Sequence, residues 1–299
     1  MPGSILESAT TEVAPAPAET AELSQRAPGV LSRLVRSPGG IVGLALVLVV
    51  VLTALFAELI APGDPFDTSA GPALSPPSRG HVMGTDNLGR DLFTGVVHGA
   101  RTSMIVVFWV VTISVVIGLA AGTLSGFLGG VADDVIMRIA ELFQVVPRFF
   151  LALLMISFFG PGLDRLTLLL GLTSWPFLAR VVRGETISLK SRDFVEGARA
   201  IGASRLHIVG RHIVPNLLPA VVVVVALFAS RIILIEAGLS FLGLGDPTRI
   251  SWGSLANSAQ QFLRLAWWMA VFPGLGIVVA VLGLNLLADA LNDAMRRTH

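Results

Sequence analysis

The apolar residues of this chain do not recur at helical or strand intervals; they run on without interruption. Six stretches, at about 41–61, 103–126, 135–159, 166–183, 216–237 and 266–288, are apolar nearly all round. A helix needs about 20 residues to cross a hydrocarbon core of roughly 30 Å, and each stretch approaches or exceeds that length. Continuous rather than alternating apolarity predicts helices, not the strands of a barrel. The fourth stretch is interrupted by Pro176 and Arg180.

The polar segments divide the chain further. The tail from Met1 to about Pro28 is rich in Ala, Pro, Glu and Thr. It is too polar to offset the entropy of ordering, so residues 1–32 are expected to be a disordered tail. The tail has no apolar h-region, so the first run, entered after Arg33 and Arg36, is expected to be an uncleaved span. Residues 33–101 then hold the first helix and a long external loop from Pro62 to Arg101. Residues 102–299 hold a five-helix core with a loop at 184–215. Arginines set the orientation. Arg26, Arg33 and Arg36 precede the first span, and Arg296 and Arg297 follow the last. Arg183, Lys190, Arg192, Arg199, Arg205 and Arg211 lie between spans four and five. Six spans place all three groups on one side, the cytoplasm, with both termini.

Composition narrows the class. The chain is 54% hydrophobic and 14% charged, with mean hydropathy +0.79. That is too little charge to cover a soluble protein of 299 residues. A net charge of +1 cannot build the basic face of a nucleic-acid binder. With no cysteine, disulfides, thiolate metal sites and a cysteine nucleophile are excluded. The sole lysine, Lys190, lacks the G-x-x-x-x-G-K-[ST] setting of a phosphate-binding loop, so no ATP hydrolysis is expected in this chain. His207 and His212 are five apart and are not expected to share a helix face. His81, His98 and His299 are dispersed, and no metal site is expected.

The segment from Asp193 to Pro215 has its own punctuation. Asp193 and Glu196 have capping-box spacing. Small residues Ala198, Ala200 and Ala203 follow, Gly202 marks a bend, and Ser204 suits the cap of a second helix. Pro215 suits the first turn of span five, where its missing N–H costs nothing. Helix, turn, helix is predicted, with small side chains that let another backbone approach and charges that fix register. On the residues alone, contact with anionic lipid and docking of a protein partner stand level.

The order Glu196, Ala198, Gly202, Pro215 resembles the coupling-loop signature of binding-protein-dependent ABC importer permeases, E-A-A-x3-G-x9-I-x-L-P. Gly197, His212 and Val214 depart from it. The longer string through Ser204, Arg211-His212-Ile-Val-Pro215 and Asn216 resembles the peptide-importer branch and its C-type subunit. So do Gly84-Thr-Asp86-Asn-Leu-Gly89-Arg90-Asp91 with Gly99-Ala-Arg101, and Glu236-Ala-Gly-Leu-Ser240-Phe-Leu-Gly243-Leu-Gly245. Ser251-Trp-Gly253, Phe272-Pro-Gly-Leu275 and Asn285-Leu-Leu-Ala-Asp289 complete the set. This resemblance implies an all-α integral membrane protein with six transmembrane helices, the type I ABC importer permease fold and a cytoplasmic coupling helix. It implies pairing with a second homologous permease subunit. It also implies two ATPase subunits, which bind the ATP and magnesium, and an extracytoplasmic solute-binding protein. The implied ATPase-coupling residues are Asp193, Glu196, Ala198, Arg199, Gly202, Ser204, Arg211, His212 and Pro215.

Charges inside the spans are costly and tend to face a cavity or a partner. Arg138 and Glu141 are spaced to pair. Arg148, after Pro147, either lines a pathway or answers the carbonyl that the proline frees. Arg231 is a second pathway candidate. Glu236 is a third, although it lies near the outer surface where solvation alone would account for it. Trp252, Trp267 and Trp268 are expected to form an interfacial belt. Gly122-x3-Gly126 permits close helix packing.

The reading that results is a non-catalytic permease subunit of an ABC importer for di- or oligopeptides. A nickel or nickel-chelate importer is the alternative within the family. An ion-coupled secondary transporter is the alternative outside it, but no internal repeat is evident and Glu141 is the only deep carboxylate.

Overall fold

The computed structural model describes residues 34–296. The tail assigned to 1–32, with Arg26, and also Arg33 and Arg297, lie outside the described residues. Helices run from α1 (Pro38–Leu55) and α2 (Ala57–Ile60) to α3 (Leu92–Leu128), α4 (Gly130–Val145), α5 (Arg148–Phe159) and α6 (Leu163–Lys190). The short α7 (Asp193–Ala200) and α8 (Arg205–Ile208) follow, then α9 (Val214–Phe241), α10 (Trp252–Ala259) and α11 (Trp268–Arg296). The described residues contain no strand, only an isolated antiparallel bridge between Thr85 and Asp91.

Five stretches are each long and apolar enough to cross a membrane alone: α1, α3, α6, the run Arg205–Phe241, and Trp268–Met295. The expected span at 135–159 is not one helix. It breaks at Val146-Pro147 into α4 and α5, bent by 77°. Proline cannot donate to the preceding turn, and the residue before it is pushed to extended backbone; Val146 has φ −84° and ψ 122°. The bent pair still runs from one end of the bundle to the other. Asp133 at its start meets Arg183 at the end of α6. Past its far end, Pro161 shares a pocket with Asp246 and Arg249, and Asp246 caps the start of α6 through the Leu163 N–H at 2.9 Å. The chain therefore passes six times between two ends of the bundle.

Small residues set the closest approaches. A Cβ at Gly122 would stand 2.5 Å from the Ala179 carbonyl oxygen, and one at Gly126 would stand 2.8 Å from that of Arg183. Gly118 extends the same spacing toward Leu178. The expected Gly122–Gly126 packing is thus the seam between α3 and α6, a pairing driven by contact where lipid leaves no hydrophobic force between helices. Gly43 and Gly283 do the same between α1 and α11, against Leu286, Leu287, Leu46 and Val47.

The loop expected to be external is shorter than its expected span of Pro62–Arg101, because α3 already begins at Leu92. Asp91 caps it, accepting from the Thr94 N–H at 2.9 Å. What remains is knitted. Asp86 accepts from the N–H groups of Leu88 and Arg90, and the Thr85 hydroxyl donates to the Pro72 carbonyl. His81 meets Asp91 at 2.9 Å. The Gly84–Asp91 string is therefore a folded hub. The tryptophans mostly belong to this end too. Trp268 donates its indole N–H to the Thr85 carbonyl and Trp252 to that of Val96, each at 3.0 Å, and both are buried. Only Trp267, exposed, fits the expected belt; the other two are internal anchors with their N–H groups satisfied.

Candidate coupling surface and pathway

The loop after α6 folds as helix, turn, helix. The capping role expected of Asp193 is not realised: Arg192 is the N-cap of α7, without a side-chain cap bond. Asp193 and Glu196 stand in the first turn, where carboxylates favour the positive helix end. The bend at Gly202 is as expected. Gly202 has φ +82°, its N–H bonds to the Arg199 carbonyl at 2.9 Å, and the Ala203 N–H bonds to that of Ala198 at 3.0 Å. These paired bonds are a Schellman closure, for which a residue without Cβ is suited. Ser204 caps α8 as expected, accepting from the His207 N–H at 3.3 Å. At Gly197 no atom lies within 4 Å of an added Cβ, so its departure from the family alanine alters no contact.

The inner face of this loop is apolar. Val195 and Ala198 pack with Ile208, Ile213 and Leu217 against Phe127 and Val182. Ala198, buried, thus holds the loop to the bundle. The outer face carries Asp193 and Glu196, both exposed, together with side chains that the sequence pattern did not single out, whereas Arg199 folds back to 5.9 Å from the Phe127 ring. Ile201 is 86% exposed and Leu206 is 85% exposed. Their signal was available: large apolar residues off the inward face of a polar loop.

Pro215 does stand in the first turn of α9, but that turn is not a free start. A π turn, Val209–Ile213, joins α8 to α9, with the Val214 N–H bonded to the Val209 carbonyl. A proline ring would press on the carbonyl four residues before it, here Arg211, and the widened turn relieves that. The same turn overturns the expectation for the histidines. The widened turn lies between the two, and the His207 and His212 rings are 5.9 Å apart, with Phe194 beyond His212. Arg211, His212 and Pro215 line an open cavity here.

Two of the three pathway candidates come together. Arg148 is half-buried at the break before α5, and its guanidinium feels the charge of Arg231. Arg231 is exposed on α9 and lies 5.9 Å over the Phe177 ring. Glu236 is elsewhere and is not solvated: it is 1% exposed. The hydroxyls of Ser240 on α9 and Ser103 on α3 donate to its carboxyl at 2.8 and 3.3 Å, and Ser251 joins them. It ties three elements together inside the bundle. Arg138 and Glu141 pair on one helix at 3.1 Å, well exposed. A stronger pair went unforeseen: Arg183 grips Asp133 through two nitrogens, fixing the start of α4 to the end of α6.

Six passes along the bundle, a broken span beside two guanidiniums with no carboxylate partner among the described residues and a folded loop continuous with a span describe a polytopic membrane protein. The chain belongs to the family of binding-protein-dependent transport system inner membrane components, whose model matches residues 114–298. The N-terminal transmembrane domain of oligopeptide transport permease C matches residues 29–77. A dipeptide transport system permease protein of Alkalihalophilus pseudofirmus is 36% identical over 85% of this chain and 84% of its own. A di/tripeptide transport system permease protein of Pseudomonas aeruginosa is 36% identical over 86% and 87%. An oligopeptide transport system permease protein of Bacillus subtilis is 34% identical over 85% and 84%. In fold the chain is similar to the methionine ABC transporter MetNI in an inward-facing conformation, with TM-score 0.58 and 20% identity, covering 68% of this chain and 97% of that one. The fold is that of a type I ABC importer permease.

Proposed function

We propose that this chain forms half of the route by which di- or oligopeptides cross the cytoplasmic membrane, with both termini cytoplasmic. A second, homologous permease supplies the other half. Two ATPase subunits hold the ATP and magnesium, and an extracytoplasmic binding protein delivers the cargo. The cargo class rests on the names of the relatives. One observation carries the coupling assignment: Ile201 and Leu206 stand exposed on either side of the Gly202 turn, on a loop that runs without a break into a span.

The mechanics follow from that continuity. From Arg205 to Phe241 the backbone is one run of helix, so a force on α8 is borne by α9 instead of being absorbed in a joint. The packed inner face of α7 passes the same displacement to the ends of α3 and α6. ATP moves this equilibrium only by binding the two states of the assembly differently. Along the route, Arg148 and Arg231 have no carboxylate partner among the described residues. They lie beside the N-terminal, positive end of α5, a setting that suits an anionic group such as a peptide carboxylate.

Replacing Ile201 and Leu206 by Asp tests the coupling. Both are exposed, so the permease itself should melt within about 0.5 kcal/mol of wild type. Co-purification of the ATPase subunits and ATP-driven peptide uptake should be lost together. Retention of both in the double variant would contradict the assignment.

A further inference from the structure

Behind the coupling surface, the ends of α3 and α6 and the loop enclose a cavity of about 410 Å³. Phe127 and Leu128 form its apolar wall, and Lys190, Arg199 and Arg205 supply its charge; no carboxylate lines it. The Lys190 ammonium lies 5.8 Å and the Arg199 guanidinium 5.9 Å from the centre of the same Phe127 ring. None of the three cations has an acidic partner among the described residues.

Three like charges around one cavity, two of them over the same ring, need a counter-charge. The ring face attracts a cation only weakly, by about 0.5–1 kcal/mol at exposed sites. The C-terminal ends of α3 and α6 point into the same region and carry about half a negative charge each. Together they offset roughly one of the three positive charges. The remainder matches a phosphate diester, which guanidinium and ammonium groups bind through charge-assisted hydrogen bonds. Leu124 and Leu128, one helical turn apart on α3 and both exposed, continue from the cavity rim toward the spanning region. That strip suits an acyl chain, which free phosphate lacks.

We infer that this cavity binds the phosphate of an anionic membrane lipid and so fastens the coupling loop to the leaflet on its side. The inference goes beyond the transport reading, because it concerns what holds the loop when no ATPase touches it. Basic pockets between spans on this side of a membrane are the usual setting for such headgroups.

The test uses the whole transporter, purified with wild-type chain and with Lys190→Gln/Arg205→Gln, in nanodiscs of phosphatidylglycerol or phosphatidylcholine. Bound lipid is read by native mass spectrometry. Wild type should retain phosphatidylglycerol and not phosphatidylcholine. The double variant should hold it roughly 30-fold more weakly, since each cation near the surface contributes about fivefold. Lys190→Arg/Arg205→Lys should retain it, which separates lost charge from misfolding. Retention unaffected by added inorganic phosphate supports the lipid as occupant. Loss of the lipid to inorganic phosphate overturns the lipid and assigns the same cations to free phosphate. Equal retention by wild type and the Gln variant overturns the site, as does a cross-link joining Lys190 to an ATPase carboxylate.

Discussion

The two ends of the bundle are built on opposite principles. At the end holding residues 62–91 and 242–267, many polar groups find partners within the chain, the buried Arg90 Nε being an exception. Thr85, Asp86, Asp91 and Asp246 each accept or donate several bonds, and two tryptophans lock the loops onto the spans. At the end holding residues 191–213, the outer face leaves Ile201, Leu206, Asp193 and Glu196 exposed and unpaired with one another. The first end is closed upon itself. The second is folded on its inner side only, which suits the proposed docking of a partner.

This contrast can be broken by substitution. The largest effect is expected at the closed end. Trp268→Ala removes a buried indole and the bond that satisfies the Thr85 carbonyl, and should cost about 3–5 kcal/mol in thermal unfolding of the purified chain. If that variant melts like wild type, the closed end is not the anchor described here. At the open end, Gly202→Ala forces a side chain into a left-handed turn. It should cost about 1–2 kcal/mol, with no clash because nothing lies within 4 Å of the added Cβ. Its effect should fall on ATPase coupling more than on melting, whereas a bulkier residue there adds nothing further to the melting change.

The smallest effect concerns pH. Burial works against the charge of Asp246. The Thr248 hydroxyl and N–H, the Leu163 N–H and Arg249 outweigh it and hold the carboxyl below the usual carboxylate range. A carboxyl lowered on folding adds stability above its unfolded value, and that stability fades as pH falls through the folded one. Asp246→Ala should therefore melt about 1 kcal/mol below wild type at neutral pH. The gap should close as pH drops below about 4. A gap independent of pH would mean that the side chain acts by packing alone.

Much of this was legible in the residues. Continuous apolar runs located the spans, and the order of Glu196, Gly202, Ser204 and Pro215 located the loop, because each of these obeys a local rule. What was not legible depended on neighbours distant in the chain. Glu236 looked solvated because its serines come from three elements, one of them 133 residues away. Trp252 and Trp268 looked interfacial because their carbonyl partners lie 156 and 183 residues off. The His207–His212 contact was hidden by an assumption of ordinary helical pitch, which the π turn ahead of Pro215 breaks. The Val146-Pro147 break was written locally, yet the length of the apolar run overrode it.

The contrast between the ends has one direct test, made clean by a chain without cysteine. Single substitutions Leu206→Cys, at the open end, and Val82→Cys, exposed at the closed end, are labelled with a membrane-impermeant maleimide in intact cells and in inside-out vesicles. Val82→Cys should react only in cells. Leu206→Cys should react only in inverted vesicles, and only after the ATPase subunits are stripped away. Labelling of Leu206→Cys from outside, or at the same rate with and without the ATPase, would contradict the account.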